Sequence, residues 1–237
     1  MRHFLLIAFL LLAGCTQPVL KPATPENLSS QATVEGFPAH IRFWADEAPD
    51  YLTKTIHTRL DNYRKKHADY FTEHGRYPSL NYLAISGGAY DGAFGAGLLA
   101  GWSEAGDRPE FSLVTGVSTG ALIAPFAFLG KGYDPQLRNF FTNTSSDKIF
   151  MTDAWKVIDG LTGGLSVTDS APLARQIEIA MTPEVLSEIA VQYKKGRLLY
   201  IVTTHIEAQR GVVWDIGAIA ASGHPDALQL VHQIMLA

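Results

Sequence analysis

From residue 78 onward the chain alternates between short apolar runs and stretches with helical spacing. Residues 82–86 are a compact apolar run closed by Gly87 and Gly88, which predicts a buried strand. A helix built from small residues is predicted over 93–104, a second strand over 111–117 and a second helix over 121–129. Two more helices are predicted over 171–180 and 183–193, the first capped by Asp169 just ahead of Pro172. The β-branched run 198–204 predicts a strand and 212–214 another short one, and Leu228, Val231, Ile234 and Met235 mark a last amphipathic helix. Such alternation predicts an α/β domain with a mostly parallel sheet covered by helices. Upstream, 41–44 reads as a short strand, and Leu52, Ile56, Leu60 and Tyr63 share one face of an amphipathic helix.

Composition adds little to this picture within the domain and much at the N-terminus. With 237 residues, 47% of them hydrophobic and 18% charged, the chain suits one globular unit with a sizeable core. A net charge of −4 without a Lys/Arg run gives no electrostatic reason to expect nucleic acid, and no basic patch to hold an anionic bilayer. Arg2 and His3 precede an apolar run, 4–13, followed by Gly14. That is the layout of a secretory signal, and the run is too short to span a membrane. Cys15 is the sole cysteine, so it has no partner for an internal disulfide. It is either a leftover thiol or a modified one. Leu12-Ala13-Gly14-Cys15 resembles the lipobox of bacterial lipoproteins, in which the signal is cut before the Cys and the Cys is acylated. Two or three acyl chains anchor stably where one does not. Thr16, where Asp would favour retention in the inner membrane, points to the outer membrane of a bacterial envelope. The polar stretch that follows, broken by Pro18, Pro22 and Pro25, reads as a flexible tether of roughly 25 Å. The expected organisation is a signal over 1–14, lipidated Cys15 and tether over 15–37, a helical extension over 38–80, and the α/β domain over 81–237.

The sharpest chemical signal is Gly116-Val117-Ser118-Thr119-Gly120, a G-x-S-x-G between a predicted strand and a predicted helix. That context suits a nucleophile elbow, with Gly116 and Gly120 allowing strand and helix to approach. Read blandly, it is a βα loop without chemistry. The second signal is Ser86-Gly87-Gly88-Ala89-Tyr90-Asp91-Gly92, directly after the preceding strand. It fails as a dinucleotide fingerprint and lacks a phosphate-loop Lys. One βα unit ahead of a nucleophile turn, it reads as either a tight turn or an oxyanion hole. No metal-ligand spacing is present and no cofactor is implied.

Together, Ser86–Gly92 followed by Ala-Phe-Gly-Ala-Gly, and Thr115–Ala121, resemble the patatin-like phospholipase family. The resemblance runs from Tyr82 to the end of the chain. It implies a three-layer α/β/α domain and a Ser–Asp dyad without histidine. It makes Ser118 the nucleophile and the backbone of Gly87, Gly88 and Ala89 the oxyanion donors, with Ala89 in place of the usual third glycine. It also implies lipid esters, phospholipid or lysophospholipid, as substrate, so membrane lipids are expected as both substrate and anchor. The family's Asp-Gly-Gly or Asp-Gly-Ala motif is absent, and Asp215-Ile216-Gly217-Ala218 is the nearest match. Asp215 itself reads better as a strand-end residue satisfied by backbone. The sequence therefore leads to the expectation that the chain is truncated before its catalytic Asp. Two rivals stay open: a Ser–His–Asp triad using His205, His224 or His232, and a non-catalytic envelope lipoprotein that uses the same fold for binding.

Overall fold

The computed structural model describes residues 25, 28, 31–88, 91–142 and 171–237. The signal segment 1–14, Cys15, most of the 15–37 tether, Ala89 and the Asp169 cap lie outside the described residues.

Among the described residues, five strands form one mixed sheet in the order β1 (Arg42–Trp44), β5 (Arg210–Asp215), β4 (Leu198–His205), β3 (Leu113–Val117), β2 (Tyr82–Ile85). β2, β3 and β4 are parallel, β5 is antiparallel to β4, and β1 is antiparallel to β5. Helices α1 (Asp50–Lys66) and α2 (Ala68–His74) precede β2. Helix α3 (Asp91–Ala105) joins β2 to β3, and α4 (Thr119–Leu129) leaves β3. After a short 3₁₀ turn come α5 (Asp134–Thr142), α6 (Ala171–Ala180) and α7 (Pro183–Lys194), which lead to β4. The strand β5 then runs into α8 (Ile216–Ala221), and α9 (Ala227–Leu236) follows. This is the α/β architecture that the alternation implied, with the parallel strands at its centre.

The crossovers explain where the core lies. β2, β3 and β4 step in one direction across the sheet, so right-handed connections put α3 and α4 on the same face. Along α4 every residue from Gly120 to Phe128 is buried, because the helix is covered by the sheet beneath and by neighbouring helices around it. Gly116 faces α4 and pairs with Ile201, so Leu199 and Ile201 point to the same side and are fully buried. Tyr200 points to the other face, where Tyr51 and Arg59 of α1 approach it and Asp215.

That second layer is thinner than the amphipathic pattern of α1 suggests. The helix forms where expected, yet none of its residues is buried and Ile56 is 41% exposed. It is attached by polar contacts, Tyr51 Oη donating to the Arg42 carbonyl at 3.4 Å and Tyr63 Oη to that of Pro78 at 2.7 Å. The same asymmetry corrects the expectation of a buried strand at 82–86. β2 is an edge strand, so Leu83 and Ile85 pack on the core while Tyr82 and Ala84 are exposed. The short strand expected at 41–44 forms as β1 and joins the sheet beside β5. Helix α5 is the core element the periodicity did not reveal, and it buries Leu137 and Phe140.

Candidate active site

The parallel register sets the site. Ile85 pairs with Gly116 and Val117 with Val202, so the carboxyl ends of β2, β3 and β4 finish side by side. The turn that begins at Ser86 and the turn at Ser118 therefore leave the sheet next to each other. Ser118 sits between β3 and α4 with φ 54° and ψ −127°, a left-handed backbone that L residues rarely take. Its side chain does not cap α4, and the residue is exposed. The hydroxyl thus stands in solvent at the N-terminus of a buried helix, where the dipole favours negative charge.

Glycine makes this turn possible at two points. A Cβ on Gly116 would lie 2.4 Å from the Gly120 carbonyl oxygen and 2.8 Å from the Ala124 methyl. On Gly120 it would lie 2.3 Å from the carbonyl oxygen of Ile85, at the end of the neighbouring strand. Both are backbone collisions that no rotamer relieves, so strand, elbow and helix close up only with hydrogen at these positions. The preceding turn is equally close. A Cβ on Gly87 would be 2.9 Å from the Ser118 Cβ and 3.3 Å from its Oγ. The Gly87 backbone therefore lies directly against the Ser118 side chain. Gly88 accepts a hydrogen bond from the Asp91 amide at 2.8 Å, which turns the chain into α3. Gly92, which closes the glycine-rich signal but has no predicted role of its own, packs on Thr119: a Cβ there would meet the Thr119 methyl at 2.1 Å. The Ala-Phe-Gly-Ala-Gly run after it was the available signal. Of the predicted site residues, Gly87, Gly116, Ser118 and Gly120 converge, Gly88 packs on Asp91 instead, and Ala89 and Cys15 lie outside the described residues.

A model of the family described as patatin-like phospholipase matches residues 83–223, a span that holds both turns. The chain belongs to the patatin-like phospholipase family. Neither the comparison with curated proteins nor that with solved structures gives a match. Patatin-like phospholipases are in general lipid acyl hydrolases, and the α/β sheet flanked by helices is consistent with their domain.

Asp215, the nearest candidate for a patatin-like dyad acid, is placed elsewhere. It pairs with Tyr200, which pairs with Thr115, three residues before Ser118. Along the strand that is roughly 10 Å, and two strands across add roughly another 10 Å, so the carboxylate is far from the hydroxyl. It caps α8 instead, Oδ1 accepting from the Ala218 amide at 2.8 Å, and burial pushes its carboxyl up to about 6. The backbone of Ala218 and Gly217 and the charge of Arg59 pull the other way without winning. This is the strand-end role that the sequence favoured for it.

The three histidines considered for a triad are also accounted for. His205 Nδ1 accepts from the Ala208 amide at 3.1 Å, and its ring meets Trp44 edge-on, on the side of β4 away from β3. His224 packs on Phe37 and its Nδ1 accepts from the Asp226 amide. His232 Nε2 bonds the Met181 carbonyl at 2.7 Å. Among the described residues no cluster of three His, Cys, Asp or Glu is placed to hold a metal, and no helix is long and apolar enough to cross a membrane.

Proposed function

We propose that the chain hydrolyses lipid esters through an acyl-Ser118 intermediate, on phospholipid or lysophospholipid, as a lipoprotein tethered through Cys15 to the bacterial outer membrane. The observation that carries this reading is the strained, exposed Ser118 with the Gly87 backbone against its Oγ. In the first step Oγ attacks the ester carbonyl and its proton passes to a carboxylate base, an Asp by family resemblance and not Asp215. Backbone amides of the Gly87–Ala89 turn and the α4 N-terminus receive the negative charge that develops on the carbonyl oxygen. Collapse breaks the bond to the leaving oxygen, which takes the proton back from the base and departs as the alcohol, the lysolipid or glycerol part. Water, deprotonated by the same base, then attacks the acyl carbon and frees the fatty acid.

The lipoprotein part rests on the signal-like run 4–13 and the Leu-Ala-Gly-Cys sequence. The hydrolase part is tested by Ser118→Ala in the full chain, with a phospholipid and a short-chain soluble ester as substrates. Turnover is expected to fall about 10³-fold or more while circular dichroism stays unchanged. Equal turnover in the two proteins overturns the assignment.

A further inference from the structure

A cavity of about 270 Å³ opens at the amino end of the parallel strands, beside the C-terminal ends of α3 and α4. Ser118 follows the other end of β3, so the hydrolase reading makes no use of this space. Its wall includes two arginines with almost fully buried side chains, Arg108 at 4% and Arg197 at 9% exposed. Phe111 and Leu129 supply an apolar part, and the exposed Lys131 and Glu110 stand at the opening.

The contacts of these arginines do not use them up. A guanidinium has five N–H donors and accepts nothing. Arg108 Nη1 serves Asp134 and Ser103, and more distantly the Leu99 carbonyl, and Nη2 serves the Ala127 carbonyl. Its Nε is buried without a partner among the described residues. Arg197 places Nε on the Phe111 carbonyl, Nη1 on Gln192 and Nη2 on the Phe128 carbonyl. Each fork therefore keeps donors to spare, and buried donors call for acceptors.

Charge is left over as well. Arg108 has Asp134 as a buried partner at 2.7 Å, whereas Glu110, at 3.8 Å from Arg197, is 77% exposed and screened by water. Burial pulls the Arg197 guanidinium below its ordinary value, and Glu110 opposes this only in part. The C-terminus of α4 offsets about half a unit of charge, while that of α3 is exposed. A ligand that answers both the spare donors and the surplus charge carries acceptor oxygens and one negative charge. The apolar wall adds room for a short hydrocarbon chain, and the volume is below the roughly 300 Å³ of sites for drug-sized ligands.

We propose that this cavity binds a small carboxylate, its oxygens on the spare donors of Arg108 and Arg197 and its short chain against Phe111 and Leu129. The test titrates butyrate into the full chain by calorimetry, with sodium chloride holding the ionic strength constant. Saturable one-to-one binding is expected, with a Kd on the order of 1 mM. Two exposed residues locate it without disturbing the core. Glu110→Gln removes a competing carboxylate and should tighten binding about threefold, and Lys131→Glu brings one in and should weaken it about threefold. Arg197→Lys keeps the charge but loses the fork, and should abolish saturation in protein with the parent's circular dichroism. No saturation up to about 50 mM butyrate overturns the proposal. So does binding that neither surface variant changes, which would put butyrate elsewhere, the Ser118 site included. Inorganic phosphate, titrated in the same way, should bind more weakly than butyrate. Phosphate binding as tight or tighter overturns the carboxylate as the ligand.

Discussion

The two ends of the parallel strands are built on opposite principles. At the carboxyl end, where Ser118 stands, close approach is achieved by having no side chains: Gly87, Gly92, Gly116 and Gly120 each take a neighbour into the space a Cβ would fill. At the other end lie the buried polar and charged residues among those described, Ser103, Asp134, Gln192, Arg197 and Asp215. There Arg108 donates to Asp134 at 2.7 Å, to Ser103 Oγ at 3.0 Å and to the Ala127 carbonyl at 3.0 Å. Arg197 donates to the carbonyls of Phe111 and Phe128 and to Gln192. Both arginines thus satisfy carbonyls at the C-terminal end of α4, where a helix leaves them unpaired and favours positive charge. One helix is held at its two ends by different means. Among the described residues no buried charged side chain lies at the Ser118 end, so a negative charge developing there would meet backbone dipoles.

If that division is real, damage at the two ends should have different consequences. The largest loss of stability is expected from Arg108→Met. It leaves Asp134 buried without its partner and frees the Ala127 carbonyl and the Ser103 hydroxyl, at a cost of about 3–5 kcal/mol. Chemical denaturation should show this, while turnover per folded molecule of a soluble ester stays within about twofold, since the change is at the far end of α4. Gly120→Ala should cost less stability, about 3 kcal/mol, because a methyl cannot be placed against the Ile85 carbonyl without moving α4 off β2. Its signature is a loss of turnover in the protein that remains folded. A drop in turnover for Arg108→Met matching that of Gly120→Ala would show that the ends are not separable.

The division also explains what could be read from sequence. The Ser118 end was legible because glycine spacing is local: G-x-S-x-G and the Gly87-Gly88 pair each lie within one turn of chain. Its close contacts run between consecutive βα units, which the strand–helix alternation orders. The charged end was not legible. Arg108 and Asp134, or Arg197 and Phe128, are far apart in sequence, and nothing in their neighbours marks a buried Arg. The same holds for α1, whose apolar stripe is real but meets a sheet face it barely covers, and for β2, whose apolar run gave no sign of an edge position. Asp215 was legible only as a strand-end residue. Its distance from Ser118 follows from the antiparallel β4–β5 register, which depends on the short turn at Gln209 rather than on the motif itself.

Asp215 offers a smaller and more selective test of the charged end. Burial holds its carboxyl at about 6 against 3.8 when exposed, so the folded chain takes up this proton before the unfolded chain does. The contribution of this site to stability is therefore greatest below about pH 4 and declines as pH rises to about 6. Asp215→Asn keeps an oxygen for the Ala218 amide and removes the charge. It should stabilise the protein at pH 7 by about 2 kcal/mol and leave stability at pH 4 nearly unchanged. A stabilisation of equal size at both pH values would mean that the buried charge is not its cause.

The smallest effect is expected at the Ser118 end, from the strain in the turn. Ser118 and Gln209 are the non-glycine residues at positive φ among those described, and Ser118 is the one held between a core strand and a buried helix. Such a conformation costs about 1–3 kcal/mol in an L residue, and glycine adopts it without that cost. Part of the gain is lost again, because glycine gives the unfolded chain more freedom. Ser118→Gly should therefore raise stability by about 1 kcal/mol while abolishing turnover. Ser118→Ala, which keeps the Cβ and its strain, should abolish turnover with stability close to that of the parent chain. Comparing these two inactive proteins isolates the strain from the chemistry, because both lack the hydroxyl. Equal unfolding midpoints would mean that the elbow is held without strain, and that nothing in stability is given up to expose the serine.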